Sequence, residues 1–158
     1  AVSGCHFSAS IGGGPPVVAK ADLQKDITDR LAKAGQTPQS VTCAEDLVGE
    51  VDKTTRCEVV LSETNAIEPI VKTTKVEGTT VSYEMTPALN QDQLQTQVAT
   101  LMKQNGMAAD TVTCTGGLEG VVGKETRCTV KGDGETTETS VKVTEVNGLL
   151  MNFQIYPA

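Results

Sequence analysis

The chain has 158 residues and a formal net charge of -7, from 13 basic and 20 acidic residues. That sign disfavours phosphate backbones and anionic membrane surfaces as partners. With no Trp, and only Phe7, Tyr83, Phe153 and Tyr156 as aromatics, there is no stacking platform for single-stranded nucleic acid.

At the N-terminus, Val2-Ser3-Gly4-Cys5 has the pattern of a bacterial lipobox: an apolar residue, two small residues, then the cysteine that receives the lipid. The small residues let the lipid transferase and the signal peptidase reach the backbone. A Gly- and Pro-rich run follows and reads as a tether. Residues 1–16 are therefore expected to form a lipobox and flexible tether, with Cys5 as the lipidation site. Neither an initiator Met nor the apolar segment that precedes a lipobox is in the sequence, so it is expected to begin inside a trimmed signal peptide. The plainer alternative is an incidental free cysteine in a tail. No later stretch of about 20 apolar residues could cross a membrane, so the lipid would be the only anchor.

Leu23, Ile27, Leu31 and Ala34 then recur every three or four residues among charged and amide side chains, which predicts an amphipathic helix. Gly35 stops it, and Pro38 prevents its continuation. From Val41-Thr42-Cys43 the period falls to two. Strands are expected there, over residues 56–61 and over residues 67–76. A turn at Glu77-Gly78 leads to a fourth strand that alternates Val81, Tyr83 and Met85.

The same order is then written again. Val112-Thr113-Cys114 and Arg127-Cys128 repeat Val41-Thr42-Cys43 and Arg56-Cys57 with an offset of 71, as do Leu47/Leu118, Gly49/Gly120, Val51/Val122, Lys53/Lys124 and Thr55/Thr126. The second helix carries Leu94, Val98, Leu101 and Met102, with Asn90 and Gln93 placed for a capping box and Gly106 as its stop. Its hairpin is marked by Asn147-Gly148, and its closing strand by Met151, Phe153 and Ile155. By residues 76 and 146 the offset is 70, so one residue is lost at the preceding hairpin, where loop tips usually vary. Two α+β repeats follow, over residues 17–87 and 88–158, each one helix packed on a four-stranded mostly antiparallel sheet. The short Pro87-Ala88 link implies that they touch.

Five cysteines make two matched pairs, Cys43/Cys57 and Cys114/Cys128, with Cys5 left over. Their spacing lacks the short Cys-x2-Cys of structural zinc sites, and the only histidine, His6, lies in the tail. One pair per repeat favours an internal disulfide in each and an oxidising compartment. Reduced thiols would leave two identical pairs without a role. A bridge closing such a loop contributes about 3 kcal/mol in the loop-entropy model, which matters for units this small.

Catalytic groups are not apparent. His6 alone makes no Ser-His-Asp or Cys-His set, and the cysteine spacing is not that of a redox Cys-x-x-Cys motif. Gly116, Gly117 and Gly120 lead into no Lys-Ser/Thr of a phosphate loop. The acidic groups Glu45, Asp46, Glu50 and Asp52, and Asp133, Glu135 and Glu138, lack the spacing of a calcium loop and read as solvated faces. No catalytic residue, metal site or cofactor is therefore expected. Lys53, Arg56, Lys124 and Arg127 recur before each second cysteine. They read as solvent-side strand charges, or an arginine paired with a nearby carboxylate, or alternatively as a repeated contact point for an anionic partner.

Helix, Gly stop, Val-Thr-Cys, Leu-x-Gly and Lys-x-Thr-Arg-Cys together resemble tandem copies of a small disulfide-containing domain of unknown function. That domain is found in actinobacterial, especially mycobacterial, secreted proteins and lipoproteins. The resemblance implies an envelope location and a disulfide between the two family cysteines, and brings no catalytic motif. The expected function is a non-catalytic lipoprotein, anchored through Cys5 to the extracytoplasmic face of the cell membrane, that presents a protein-interaction module to another envelope protein. The alternatives are a carrier or sensor of a lipid or other apolar envelope molecule, and an inhibitor of an envelope enzyme.

Overall fold

The computed structural model describes residues 2–8 and 15–158. Strand β1 (Val2–Ser8) comes first. The first repeat runs β2 (Val17–Val18), α1 (Lys20–Lys33), β3 (Ser40–Cys43), β4 (Leu47–Val48), β5 (Thr54–Ser62), β6 (Asn65–Ile67), β7 (Ile70–Glu77) and β8 (Thr80–Thr86). The second runs β9 (Ala88–Leu89), α2 (Gln91–Gln104), β10 (Thr111–Cys114), β11 (Leu118–Glu119), β12 (Glu125–Gly132), β13 (Glu135–Asn147) and β14 (Leu150–Pro157).

The main sheets follow the order β1-β8-β7-β5-β3, with β6 branching from β5, and β10-β12-β13-β14; all pairings are antiparallel. The expected α+β class and four-strand order are therefore present in both copies. Each copy adds a two-stranded clip that short-range patterning does not reveal, β2 with β4 and β9 with β11.

Each helix lays one stripe into the core. Leu23, Ile27 and Leu31 of α1, and Leu94, Val98 and Met102 of α2, are buried with Val59, Val71, Val81 and Met85 and with Val130, Val141 and Val143 in a single cluster spanning both repeats. Full burial of each such side chain contributes about 1.5–3 kcal/mol. The two helix starts are secured differently. Asn90 and Gln93 form the expected capping box, at 2.8 and 3.0 Å. Ala19, the N-cap of α1, has no capping side chain, and Asp46 from the disulfide loop accepts the Lys20 N–H at 2.8 Å. One member of the expected solvated acidic face therefore closes a helix end while staying exposed. Gly35 and Gly106 stop the helices at φ of 80° and 78°.

Several expectations change in detail. Ala34 is the exposed C-cap of α1 rather than part of its buried stripe. Pro69 divides the expected strand over residues 67–76 into β6 and β7, because proline has no N–H for the ladder; Thr139 stands at its place in the second copy, and β13 runs unbroken. The extra residue of the first copy is not at a loop tip. Both hairpins turn on two residues, Glu63-Thr64 and Asp133-Gly134, and the first copy absorbs its extra residue as a bulge at Leu61. The later hairpins turn on Gly78-Thr79 and Gly148-Leu149, each with a left-handed glycine first, so Glu77 and Asn147 end their strands. Val2–Ser8 of the expected tether is strand, because the open side of β8 offers unpaired backbone groups to a neighbouring extended segment. Residues 9–14 of that tether lie outside the described residues.

The repeats touch, as the short link implies. Gln97 of α2 donates to Asn65 Oδ1 at 3.2 Å and to the Ala66 carbonyl at 3.0 Å, and the Glu68 N–H donates to the Ala88 carbonyl at 2.7 Å. The clip at the start of each repeat depends on a close approach. The N–H groups of Gly49 and Gly120 donate to the carbonyls of Pro16 and Pro87, both at 2.7 Å. A Cβ on either glycine would lie 2.5 Å from that carbonyl oxygen. Gly120→Ala is expected to lower stability by about 1–3 kcal/mol in denaturant unfolding, through overpacking at the Pro87 junction. Gly116→Ala, with nothing within 4 Å of its added Cβ, is the control and should be near neutral.

Candidate functional site

The cysteines pair within each repeat, Cys43 with Cys57 and Cys114 with Cys128. They are directly opposed on neighbouring antiparallel strands, with Cα atoms 4.0 Å apart, and are buried. Each bridge is tied to its helix by a glutamine. Gln24 Oε1 accepts the Cys43 N–H, and Gln95 Oε1 the Cys114 N–H, both at 3.0 Å. Sequence reasoning missed this pair, although Gln24 and Gln95 stand 71 positions apart like the rest of the frame. The four cysteines are thus structural, and the side chain of Cys5 lies outside what the structure describes.

Lys53, Arg56, Lys124 and Arg127 are all exposed. Arg56 lies 3.9 Å from Glu68 in a half-exposed pair of small energetic weight. Arg127 forms no ion pair among the described residues. The backbone at both lysines makes the same contacts. The Thr73 N–H donates to the Lys53 carbonyl and the Asp52 N–H to the Thr73 carbonyl, both at 2.9 Å. Val143, Lys124 and Gly123 repeat the same exchange at the same distances. Both loops thereby dock where β7 and β13 bulge, and the left-handed residue is Asp52 in one copy and Gly123 in the other.

Among the described residues no group of three or more His, Cys, Asp or Glu is placed to hold a metal, and no helix is long and apolar enough to cross a membrane. Lys25, fully exposed, is held above the usual lysine pKa by its hydrogen bond to Asp29 at 2.9 Å, aided by the charge of that carboxylate. That is helix-surface pairing at i,i+4.

The informative feature is where the copies diverge. Beside β8, Tyr83 Oη donates to Asp26 Oδ2 at 2.7 Å and Arg30 Nε donates to Asp26 Oδ1 at 3.1 Å, joining α1 to the sheet through a largely buried polar set. The corresponding residues of the second repeat are Phe153, Gln97 and Leu101. Gln97 turns to the first repeat, and Leu101 and Phe153 line a groove of about 470 Å³ with Met102, Met107, Ile155 and Pro157. Leu101 was expected in the core stripe; it is half-buried and lines this groove, while Met102 beside it is buried. Val81, Tyr83 and Met85 are buried, whereas Met151, Phe153 and Ile155 are only half-buried.

Tyr83→Phe removes the phenol donor to Asp26 and is expected to cost about 1–2 kcal/mol in urea unfolding, a hydrogen bond to a charged acceptor. Unchanged stability would mean that the other partners of Asp26, Arg30 among them, satisfy that carboxylate.

Residues 1–78 and again 76–148 match a family described as a domain of unknown function, DUF4333. No curated protein and no solved structure matches the chain. The first match ends at the Gly78 turn and the second at the Gly148 turn, so β14 lies beyond the second matched segment. With nearly its whole length covered by the two matches, the chain belongs to the DUF4333 family and carries that domain twice in tandem.

Proposed function

We propose that the protein is a non-catalytic lipoprotein of an actinobacterial cell envelope, anchored through Cys5, whose second repeat presents a surface to another envelope protein. The observation that carries this reading is the division of labour between the copies. The first repeat closes its helix-sheet face with Asp26, Arg30 and Tyr83 and takes β1 on its edge. The second leaves the matching face apolar and open. Anchor and presenting surface therefore fall on different repeats.

Cleavage before Cys5 would leave Cys5–Ser8 to pair with Tyr83, Ser82, Val81 and Thr80. The acyl chains would then start at the first repeat, and the membrane would lie on that side of the protein. The paired cysteines support an oxidising, extracytoplasmic setting. Two acyl signals or more are needed for stable anchoring, which the modified lipobox cysteine supplies. The test is fractionation of cells expressing the wild type and Cys5→Ser. Wild type is expected in the membrane fraction and the variant in the soluble extracytoplasmic fraction; identical distribution would sink the anchor.

The groove also favours a second reading, a carrier of a small apolar envelope molecule, since its lining is mostly aliphatic and aromatic. Organic extraction of natively purified protein distinguishes the two. A near-stoichiometric apolar molecule supports the carrier, and its absence supports the interaction module.

A further inference from the structure

The capping box that starts α2 leaves one group unserved. Asn90 Oδ1 accepts the Gln93 N–H at 2.8 Å, and Gln93 Oε1 accepts the Asn90 N–H at 3.0 Å. Gln93 is only 9 % exposed, and its Nε2 is buried with no hydrogen-bond partner among the described residues. Turning the amide over would not relieve this, because Nε2 would then face the Asn90 N–H, donor against donor. Buried donors are normally paired, since an unpaired one has lost its water without compensation. A donor fixed in this way calls for an acceptor from outside the chain.

Gln93 lines a cavity of about 170 Å³ where the repeats meet. The β5–β6 hairpin brings Glu63, Thr64 and Asn65 to it, and the start of α2 brings Asp92 and Thr96. Glu63 and Asp92 form no ion pair among the described residues. In the first repeat the residues 71 positions earlier than Asp92, Gln93 and Thr96 are Ala21, Asp22 and Lys25. The constellation therefore belongs to the junction and not to the repeated frame.

The lining restricts what can bind. A metal cation offers Gln93 Nε2 no acceptor. A phosphate or other anion would meet the carboxylates of Glu63 and Asp92. An apolar molecule would leave every polar group unpaired. A hydroxyl oxygen accepts one hydrogen bond and donates another, which suits a donor beside two carboxylates. The volume is below that of pockets for drug-sized molecules and suits a single ring. We propose that this cavity binds a sugar, with one hydroxyl accepting from Gln93 Nε2 and neighbouring hydroxyls donating to Glu63 and Asp92. With no aromatic side chain in the lining to stack on the ring, the dissociation constant is expected in the millimolar range. The site is distinct from the apolar groove, and the inference does not rest on the proposed function.

The test is a titration of the nitrogen-15-labelled full chain with glucose, galactose, mannose and N-acetylglucosamine, followed by two-dimensional NMR. At least one sugar is expected to shift the side-chain amide of Gln93 and the backbone amides of residues 63–65 in a saturable way. Calcium chloride and sodium phosphate should leave the Gln93 amide in place. Gln93→Glu keeps an oxygen to accept the Asn90 N–H, so the capping box survives, but the donor is lost. Sugar affinity should fall by about tenfold or more, with helix content unchanged. Thr96→Lys places the first repeat's residue at an exposed helix position, fills the cavity without touching the box, and should abolish the shifts. No saturable shift with any of the four sugars would leave water as the partner of Gln93 and overturn the proposal. So would shifts centred on Leu101 and Phe153, a stronger response to calcium or phosphate, or sugar binding that survives Thr96→Lys.

Discussion

Each repeat depends on the covalent bond between two cysteines that face each other across neighbouring strands. β3 and β10 have four residues each, short strands for the edge of a sheet. The bridge fixes them to β5 and β12, and the loop it closes does the remaining work. In the first copy that loop supplies Asp46 to the start of α1, β4 to the clip with β2, and Gly49 to the carbonyl of Pro16. Gln24 and Gln95 then hang the helices from the bridged strands. With a domain-sized core made of Val, Leu, Ile and Met and few aromatics, restricting the unfolded loop by about 3 kcal/mol is comparable to much of the net stability of such a unit.

A frame pinned in that way lets other positions change. Several of the residue pairs 71 apart that survive duplication are used by the bridged loop: the cysteines, the glycines at the proline carbonyls, the leucines of β4 and β11, and the lysines whose backbone docks on β7 and β13. Lys53 and Lys124 stand at equivalent turns whose backbone makes the same contacts in both copies, with their side chains exposed. The positions that diverge, Asp26/Gln97, Arg30/Leu101 and Tyr83/Phe153, sit on one face of helix and closing strand. Three coordinated changes turn a polar, bonded face into an apolar one while the fold around it stays the same.

Periodicity and recurrence made the frame readable. Helix stripes, glycine stops, the Asn90/Gln93 box and the cysteine pairing all rest on local patterns or on a repeated spacing, and each is in the structure. What was not legible depends on contacts distant in sequence. Asp46 caps a helix 26 residues before it, so its role is invisible to a local scan that sees only an acidic loop. The clips of two residues are too short to show a period of two. The groove was hidden because an apolar stripe does not say which of its members meets the sheet, and Leu101 is only half-buried where Met102 is buried. Val2–Ser8 reads as tail by composition and becomes strand only because β8 offers it an edge.

Duplication creates a problem of its own at the sheet edges. The first repeat ends in a strand whose outer side meets β1, a segment ahead of its own helix. The second repeat ends in the equivalent strand, but the segment ahead of its helix is β8, already committed to the first sheet. A single N-terminal strand cannot serve two closing strands. Among the described residues β14 therefore keeps one side unpaired, and that side lies beside the apolar groove.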